Sequence, residues 1–445
     1  MERMFGYARL CRWSLLVLAL AGCASNRAWQ DVVIRPNTEF DLAFVEFTER
    51  GNVFDRDRMH AVLNHVELLA KRPDGVLVVV FTHGWKHNAS STDPNVVSFT
   101  EWLNRIARLE VTKGQRNRRV IGVYIGWRGL SLGLGPLANV TYWERKAVAH
   151  EVGKGGVTEF LLRLDRLLVD KTHPNKNLSL VVGHSFGGAI VLTALNEILL
   201  ERVINAEAGQ PCGEKSKPGC TECYRTRPFG HGVVLLNPAI EANEVLQLKE
   251  AVAQTCFARN QSRLLHVISS DNDQATNKAF RFGQSLWGLR QSQTRFDRRF
   301  GDQQITFDES DLDATTVGNF KSFQTGQLSK PEKTGGEWTY RNCVADPNKS
   351  CLAAEDKPRH IPVWRHEPLA FIHTDKEFIE NHNDIFNNNV AAYLAAIVVE
   401  ARLLRTGDEK DILPAWKRED GSFNFGACLL DFLKRFGAIS KPGNP

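Results

Sequence analysis

Short apolar runs alternate with amphipathic stretches along most of the chain. Residues 75–81 (GVLVVVF) and 178–183 (LSLVVG) are almost continuously apolar, which is typical of strands buried on both faces of a sheet. Residues 156–170 instead carry apolar side chains three and four positions apart, as in an amphipathic helix. This alternation predicts an α/β fold with a doubly wound, mostly parallel sheet flanked by helices.

The predicted strands are short and rich in β-branched residues. They lie at 41–47, 75–81, 119–127, 178–183, 232–237 and 263–269, with a last strand within 362–374. The predicted helices lie at 102–110, 156–170, 188–200, 244–256 and 389–404. The pattern at 41–47 is compatible with an edge strand.

One α/β domain is expected over residues 40–405, with two polar stretches inserted at 203–231 and 276–360. The second insertion contains an aromatic and leucine-rich cluster at 280–289. It is expected either to cap a site or to form a solvated excursion on the surface. Residues 406–445 are a C-terminal extension.

The N-terminal residues form a separate segment. Positive charges precede a short apolar run at 14–22, which is the pattern of a secretory signal peptide. Its end, Leu20-Ala21-Gly22-Cys23, resembles the lipobox of bacterial lipoproteins. The resemblance implies removal of residues 1–22, a lipid on Cys23 and a tether at 23–39. Because Ala24 rather than Asp follows, it also implies an outer-membrane location in the cell envelope. An ordinary signal peptide that contains a cysteine is the alternative.

The charge of the chain is weak and mixed. The 56 Lys and Arg residues are interspersed with 51 Asp and Glu residues, for a net charge of +5, which does not indicate nucleic-acid binding. No apolar run reaches the length of a membrane span. Any membrane contact is therefore expected through the lipid anchor.

Seven cysteines follow the signal, at positions 212, 220, 223, 256, 343, 351 and 428. Export to an oxidising compartment favours disulfides. We expect Cys343 to pair with Cys351 across a polar loop, and two of the first three cysteines to pair with each other. A zinc site is the alternative for that cluster. Cys256 and Cys428 are predicted to be buried thiols, and the odd total leaves at least one cysteine without an intrachain partner.

Gly183-His184-Ser185-Phe186-Gly187 matches the G-x-S-x-G pattern of a nucleophile elbow. An apolar strand precedes it and an apolar helix follows, so the serine hydroxyl would project above the sheet on a sharp turn. Gly183 and Gly187 carry no Cβ atoms that would collide there. Ser185 is therefore a candidate nucleophile, and its alternative role is the N-cap of the helix.

With this motif in its context, the chain resembles the α/β-hydrolase superfamily, specifically its serine esterases and lipases. The resemblance follows the element order over residues 40–405 and is specific only in short motifs. It implies a triad in the order serine, acid, histidine. It also implies an oxyanion hole made by two backbone N–H groups.

The two oxyanion donors follow from the resemblance. One is the amide of Phe186, directly after the nucleophile. His83-Gly84, after strand 75–81, resembles the His-Gly pair of lipases, which makes Trp85 the second donor and lets Gly84 approach the substrate closely. A metal pair of His83 and His87 is the alternative, but their four-residue spacing would need a helix. No metal or cofactor is predicted.

A serine hydroxyl needs a general base. His382 lies between the last predicted strand and the last helix, where the resemblance places that base. The competing histidines, His360, His366 and His373, lie before or within the strand.

The acid should follow a strand between the serine and the histidine. Asp271 and Asp273 both follow strand 263–269, and either could accept the imidazole N–H. Esterases with a similar S-x-x-D-x-A stretch carry the acid at the position of Asp273. Asp271 and Glu241 remain alternatives.

Trp127 and Arg128 lie at the carboxyl end of strand 119–127, which is where doubly wound sheets bind their ligands. They either line a substrate pocket or serve in packing and at the surface.

The expected function is hydrolysis of a small-molecule or lipid carboxylic ester through an acyl-enzyme on Ser185. An amidase, thioesterase or acyltransferase would use the same triad. A non-catalytic lipoprotein scaffold is an alternative of another class, although such proteins usually lose the serine, the histidine or an elbow glycine. A dinucleotide-binding oxidoreductase would need G-x-G-x-x-G after the first strand, and none stands there.

Overall fold

The computed structural model describes residues 27–113, 117–129, 142–170, 172–173, 175–212, 217, 219–281, 294–300, 303–330, 336–343, 351, 360–364, 366–406, 412–418 and 423–439. The predicted signal peptide, Cys23 and most of the 280–289 cluster lie outside these residues. Among the helices in these ranges, none is both long and apolar enough to cross a membrane.

The strands, numbered in chain order, are β1 Ile34–Pro36, β2 Phe40–Glu46, β3 Val76–Thr82, β4 Arg119–Gly126, β5 Leu178–His184, β6 Glu207–Gln210, β7 Cys223–Arg225, β8 Val233–Leu236, β9 Leu265–Ser270, β10 Arg295–Phe300, β11 Gln303–Asp308, β12 Gly326–Ser329, β13 Thr339–Asn342 and β14 Leu369–Thr374. The helices are α1 Arg56–Ala70, α2 Pro94–Lys113, α3 Tyr142–Val152, α4 Thr158–Leu168, α5 Phe186–Ile204, α6 Leu246–Gln254, α7 Glu309–Ala314, α8 Asn388–Thr406 and α9 Phe425–Ile439.

Ten strands of the described chain form one sheet in the order β1-β2-β4-β3-β5-β8-β9-β14-β12-β13. All neighbours in it are parallel except β1 against β2 and β13 against β12. The predicted α/β architecture with a large, mostly parallel sheet flanked by helices is therefore confirmed.

The continuously apolar strands are explained by two cores, one on each face of the sheet. Successive side chains of a strand point to opposite faces. In β3, Val78 and Val80 pack in the core that contains α1, α4 and α5. Val79 and Phe81 pack in the other core, which contains α2 and α8. Since both faces are covered, every position of β3 is buried.

The interpretation of 41–47 as an edge strand is wrong. β2 is buried at every position and lies between β4 and the short antiparallel strand β1. β1 covers the edge that β2 would otherwise expose. Its three residues, Ile-Arg-Pro, are too few to give a strand signal in the sequence.

The two expected insertions contain regular structure. Within 203–231, β6 and β7 form a small antiparallel pair. Within 276–360, β10 and β11 form a hairpin, whereas β12 pairs in parallel with β14 and β13 closes the far edge of the central sheet. The second stretch is therefore partly an extension of the sheet.

Two predicted disulfides are present. Cys343 is bonded to Cys351, and Cys212 is bonded to Cys223. Cys428 is a buried free thiol, as expected.

The prediction of a thiol at Cys256 is wrong, because it is bonded to Cys220. The end of helix α6 lies against β7, where the Tyr224 N–H donates to the Cys256 carbonyl at 2.7 Å. This tertiary contact brings together two cysteines separated by 36 positions. All three clustered cysteines are thus in disulfides, and the alternative zinc site is not formed.

Candidate active site

The parallel strands place their carboxyl ends at one edge of the sheet, which is where ligands of such sheets bind. His83 directly follows β3, Ser185 follows β5, and Asp273 comes three residues after the end of β9. His382 lies in the loop between β14 and α8. The topology therefore brings together side chains that are far apart in sequence.

Ser185 occupies a strained turn between β5 and α5. Its φ of 55° and ψ of −122° lie outside the regions that non-glycine residues ordinarily adopt. Its hydroxyl makes no capping bond to the helix, so the alternative N-cap role does not describe it. Instead, Oγ lies 2.8 Å from Nε2 of His382.

Close packing explains both glycines of the motif. A Cβ on Gly187 would overlap the Thr82 carbonyl oxygen at the end of β3. A Cβ on Gly183 would lie 2.6 Å from the Gly187 carbonyl oxygen. Real Cβ atoms do not approach backbone so closely, so the helix can start directly against the strands only with glycine at these positions.

A continuous chain of hydrogen bonds joins Asp273, His382 and Ser185. The Asp273 Oδ2 atom lies 2.7 Å from Nδ1 of His382, whose Nε2 faces the serine. Asp273 is fully buried, and the hydroxyl of Thr276 donates to the same Oδ2 at 2.6 Å. Since a carboxylate only accepts, Nδ1 carries the imidazole proton and Nε2 is free to accept the serine proton.

The surroundings of Asp273 favour its charged form. Burial by itself would raise the pKa of this carboxyl group. The hydrogen bonds from His382 and Thr276, with the charge of His382, outweigh burial, and the pKa lies below its ordinary value. Asp273 is therefore an ionised acceptor that orients the imidazole.

The alternative acids lie elsewhere. The Asp271 side chain is 57% exposed and pairs with Nδ1 of His373 at 3.1 Å. Glu241 forms an ion pair with Lys146 on α3.

The competing histidines are also placed away from the serine. His373 is engaged by Asp271. His360 bonds through Nε2 to the Gln324 carbonyl at 2.6 Å. His366 lies in the turn before β14, with a φ of 72°.

Two residues that sequence reasoning missed hold the main chain of His382. The His184 Nε2–H donates to the His382 carbonyl at 2.8 Å, and burial keeps the pKa of His184 well below its ordinary value. The Asn237 Nδ2–H donates to the same carbonyl at 3.2 Å, while its Oδ1 accepts from the Ser270 N–H at 3.0 Å. Asn237 thus links the loop that contains His382 to the end of β9. The only sequence signal was a polar residue ending an apolar strand.

His83 fixes the peptide unit between Gly84 and Trp85, which carries the second candidate oxyanion donor, the Trp85 N–H. Its Nδ1 lies 2.9 Å from the Gly84 carbonyl, and its Nε2 accepts from the Trp127 N–H at 3.2 Å. Burial lowers the pKa of His83 to about 4, so the ring is neutral at pH 7 with its proton on Nδ1. Because the Gly84 carbonyl and the Trp85 N–H belong to one planar peptide, the bond from His83 orients both.

The two candidate donors lie beside the serine. A Cβ on Gly84 would lie 2.8 Å from the Ser185 Cβ, so this glycine allows the loop to approach Ser185 closely. Among the described residues, neither the Trp85 nor the Phe186 N–H has a hydrogen-bond acceptor. Both are thus available to a substrate oxygen.

Trp127 packs against the loop that contains His83 and Gly84. It is buried, its ring stacks on His83 at 5.6 Å between centroids, and its Nε1–H donates to the His83 carbonyl at 2.9 Å. Arg128 points toward Glu49, with 3.4 Å between Nη1 and Oε1. Packing, rather than lining a substrate pocket, therefore accounts for Trp127.

The alternative metal pair of His83 and His87 lacks the helix that its four-residue spacing would need. The segment is a loop, and the two rings lie 6.5 Å apart at nearly right angles. His87 bonds through Nδ1 to Asp93 at 2.9 Å. Within the ranges that the structure describes, no three His, Cys, Asp or Glu side chains are arranged so that they could hold a metal ion.

No protein-family model matches the chain, and no curated protein or solved structure is significantly similar to it. The function of the site therefore has to be argued from its geometry.

The buried, neutral His83 gives stability a defined pH dependence. In the unfolded chain this group takes up a proton near pH 6.5, whereas in the folded protein it does so near pH 4. Between these values the unfolded state binds more protons, so the free energy of unfolding falls as pH decreases. In His83→Asn this decrease should be smaller, by up to about 1.4 kcal/mol per pH unit.

Urea unfolding between about pH 4.5 and pH 7 measures this slope. His60→Asn is the control, because His60 is exposed on α1, and it should keep the wild-type slope. An unchanged slope in His83→Asn would contradict the assignment of a buried neutral ring.

Proposed function

We propose that this protein is a serine hydrolase of the α/β-hydrolase type that cleaves carboxylic esters through an acyl-enzyme on Ser185. The observation that carries the proposal is the chain of hydrogen bonds from Asp273 through His382 to Ser185, at a strand-to-helix elbow. This arrangement activates a hydroxyl that is otherwise a poor nucleophile.

Acylation begins with His382 as general base. The Ser185 Oγ attacks the ester carbonyl carbon while Nε2 of His382 takes the hydroxyl proton. The tetrahedral intermediate then expels the alcohol, which receives that proton from His382. Asp273 keeps the Nδ1–H in place and stabilises the imidazolium that forms between the two steps.

Deacylation repeats the sequence with water. His382 removes a proton from the water molecule, whose oxygen attacks the acyl carbon, and the acid leaves as Ser185 regains its proton. In both steps the N–H groups of Trp85 and Phe186 donate hydrogen bonds to the negatively charged oxygen of the tetrahedral intermediate. Phe186 is the first residue of α5, so the positive end of the helix dipole adds to this stabilisation.

The strain at Ser185 argues against a non-catalytic scaffold. Holding a non-glycine residue in a rarely populated conformation costs roughly 1–3 kcal/mol. Such a cost is expected to persist where the conformation serves the reaction. A scaffold would lose nothing by placing glycine at this position.

The proposed location rests on the N-terminal sequence. Leu20-Ala21-Gly22-Cys23 favours a lipid anchor on Cys23, which would hold the enzyme at the outer membrane of a bacterial envelope. The substrate would then be a small-molecule or lipid ester that reaches that surface.

Ser185 should carry the acyl group. Purified protein that lacks residues 1–23 should react covalently with a fluorophosphonate probe, and Ser185→Ala should not. Ester hydrolysis should fall by several orders of magnitude in Ser185→Ala and His382→Ala, because the triad works as one unit. Ser179→Ala, on the same strand, is the matched control and should label normally. Labelling of Ser185→Ala at the wild-type rate would refute the proposal.

The two aspartates after β9 should differ sharply. Asp273→Asn removes the acceptor that orients His382 and should lower kcat by about four orders of magnitude. Asp271→Asn changes an exposed carboxylate near His373 and should retain most of the activity. Steady-state hydrolysis of a para-nitrophenyl ester measures both. The reverse ranking would assign the acid to Asp271.

The lipid anchor can be tested separately. In bacteria supplied with labelled palmitate, the full-length protein should become labelled and fractionate with membranes, because acyl chains on Cys23 hold it there. Cys23→Ala should remain unlabelled, whereas Cys428→Ala, at a buried thiol, should behave as wild type. Release of the unlabelled wild-type protein into the soluble fraction would point to an ordinary signal peptide.

A further inference from the structure

Two buried hydrogen-bond donors near Ser185 have no protein partner in the described part of the chain. They are the Trp85 indole Nε1–H and the Tyr142 hydroxyl group. Leaving such groups unpaired in the interior is unfavourable, and native structures contain few of them. Other buried polar atoms of the described chain also lack a partner, but these two lie together beside a candidate nucleophile, where a bound substrate would supply an acceptor.

The aromatic contacts locate both donors. The Tyr142 ring, at the start of α3, lies 5.3 Å from the Trp85 ring and 5.0 Å from the Phe186 ring, measured between centroids. The rings of Trp85 and Phe186 lie 6.4 Å apart. These two residues supply the proposed oxyanion donors. The two unpaired groups therefore belong to one cluster of rings with the residues that carry the proposed oxyanion donors.

The charges nearby restrict what the acceptor can be. Burial raises the pKa of Tyr142, and the carboxylates of Glu241 and Asp273 raise it further. The hydroxyl is therefore neutral and can donate. The same two carboxylates disfavour an anion at this place, although Lys146 pairs with Glu241. An uncharged oxygen is the acceptor that fits.

We propose that the Tyr142 hydroxyl and the Trp85 indole N–H bind a second, uncharged oxygen of the substrate, within a few bonds of the scissile carbonyl. The preferred substrates are then esters of hydroxy, alkoxy or oxo acids, or of polyols, rather than esters of plain alkyl chains. A plain chain would bury both donors without a bond, and sites built to bond a polar group discriminate against analogues that lack it. This inference rests on the proposed ester hydrolysis.

Matched pairs of substrates test the inference. Para-nitrophenyl pentanoate is compared with the two isosteric esters in which the third or the fourth carbon of the acyl chain is replaced by an ether oxygen, namely para-nitrophenyl ethoxyacetate and para-nitrophenyl 3-methoxypropanoate. A second series compares butyl butyrate with its methoxyethyl isostere, so that both sides of the ester are probed. Each ratio of kcat/KM is divided by the ratio of the hydroxide-catalysed rates, which removes the inductive effect of the added oxygen.

The wild-type enzyme should prefer the oxygen-bearing ester by about tenfold or more at one position at least. Tyr142→Phe keeps the ring contacts and removes only the hydroxyl, so the preference should largely disappear. Tyr393→Phe is the control, because it removes a buried hydroxyl that bonds His266 on another part of the sheet, at 3.1 Å. It should keep the preference. Fluorophosphonate labelling of each variant counts the correctly folded active sites.

Two results would overturn the inference: a wild-type enzyme indifferent to oxygen at every position, or a preference that Tyr142→Phe retains. Either can occur while hydrolysis still depends on Ser185, in which case the proposed function stands and only the substrate class fails. Hydrolysis that survives in Ser185→Ala, or its complete absence in folded wild type, would instead refute the proposed function and this inference with it.

Discussion

The contact between the start of α5 and the end of β3 is the constraint on which the site depends. It is possible only because Gly187 has no side chain to meet the Thr82 carbonyl. It forces the chain to turn within one residue, which leaves Ser185 at a positive φ with its hydroxyl outside the helix. It also leaves room for Gly84 to lie against Ser185, so that the loop after β3 approaches the serine.

His382, the proposed base, is held by hydrogen bonds to its main chain as well as by its bond to Asp273. Neutral side chains at the ends of β5 and β8 hold the His382 carbonyl, and the same amide of Asn237 also holds the end of β9. Neighbouring parallel strands thus share one set of hydrogen bonds at their carboxyl ends. This explains how a histidine in a loop can keep a bond to Ser185 across nearly two hundred residues of sequence.

Local patterns predicted much of this arrangement. The apolar runs predicted the strands, and G-x-S-x-G between a strand and a helix predicted the elbow, because each is a property of neighbouring residues. Features set by pairing between distant segments were missed. β1 gave no strand signal although it covers β2, and Cys256 was predicted to be a thiol because nothing local indicates that α6 ends against β7.

The sequence by itself determined the alternation of the main buried strands with helices, the sharp turn at Ser185 and the short group of residues from which an acid and a base could come. These follow from side-chain volume, periodicity and spacing, which act within one segment. Only the tertiary structure shows which of Asp271 and Asp273 contacts His382. Both follow the same strand, but one carboxylate turns outward to His373 and the other is buried against His382. Burial and hydrogen-bond direction depend on every element packed around a group, and no single segment encodes them.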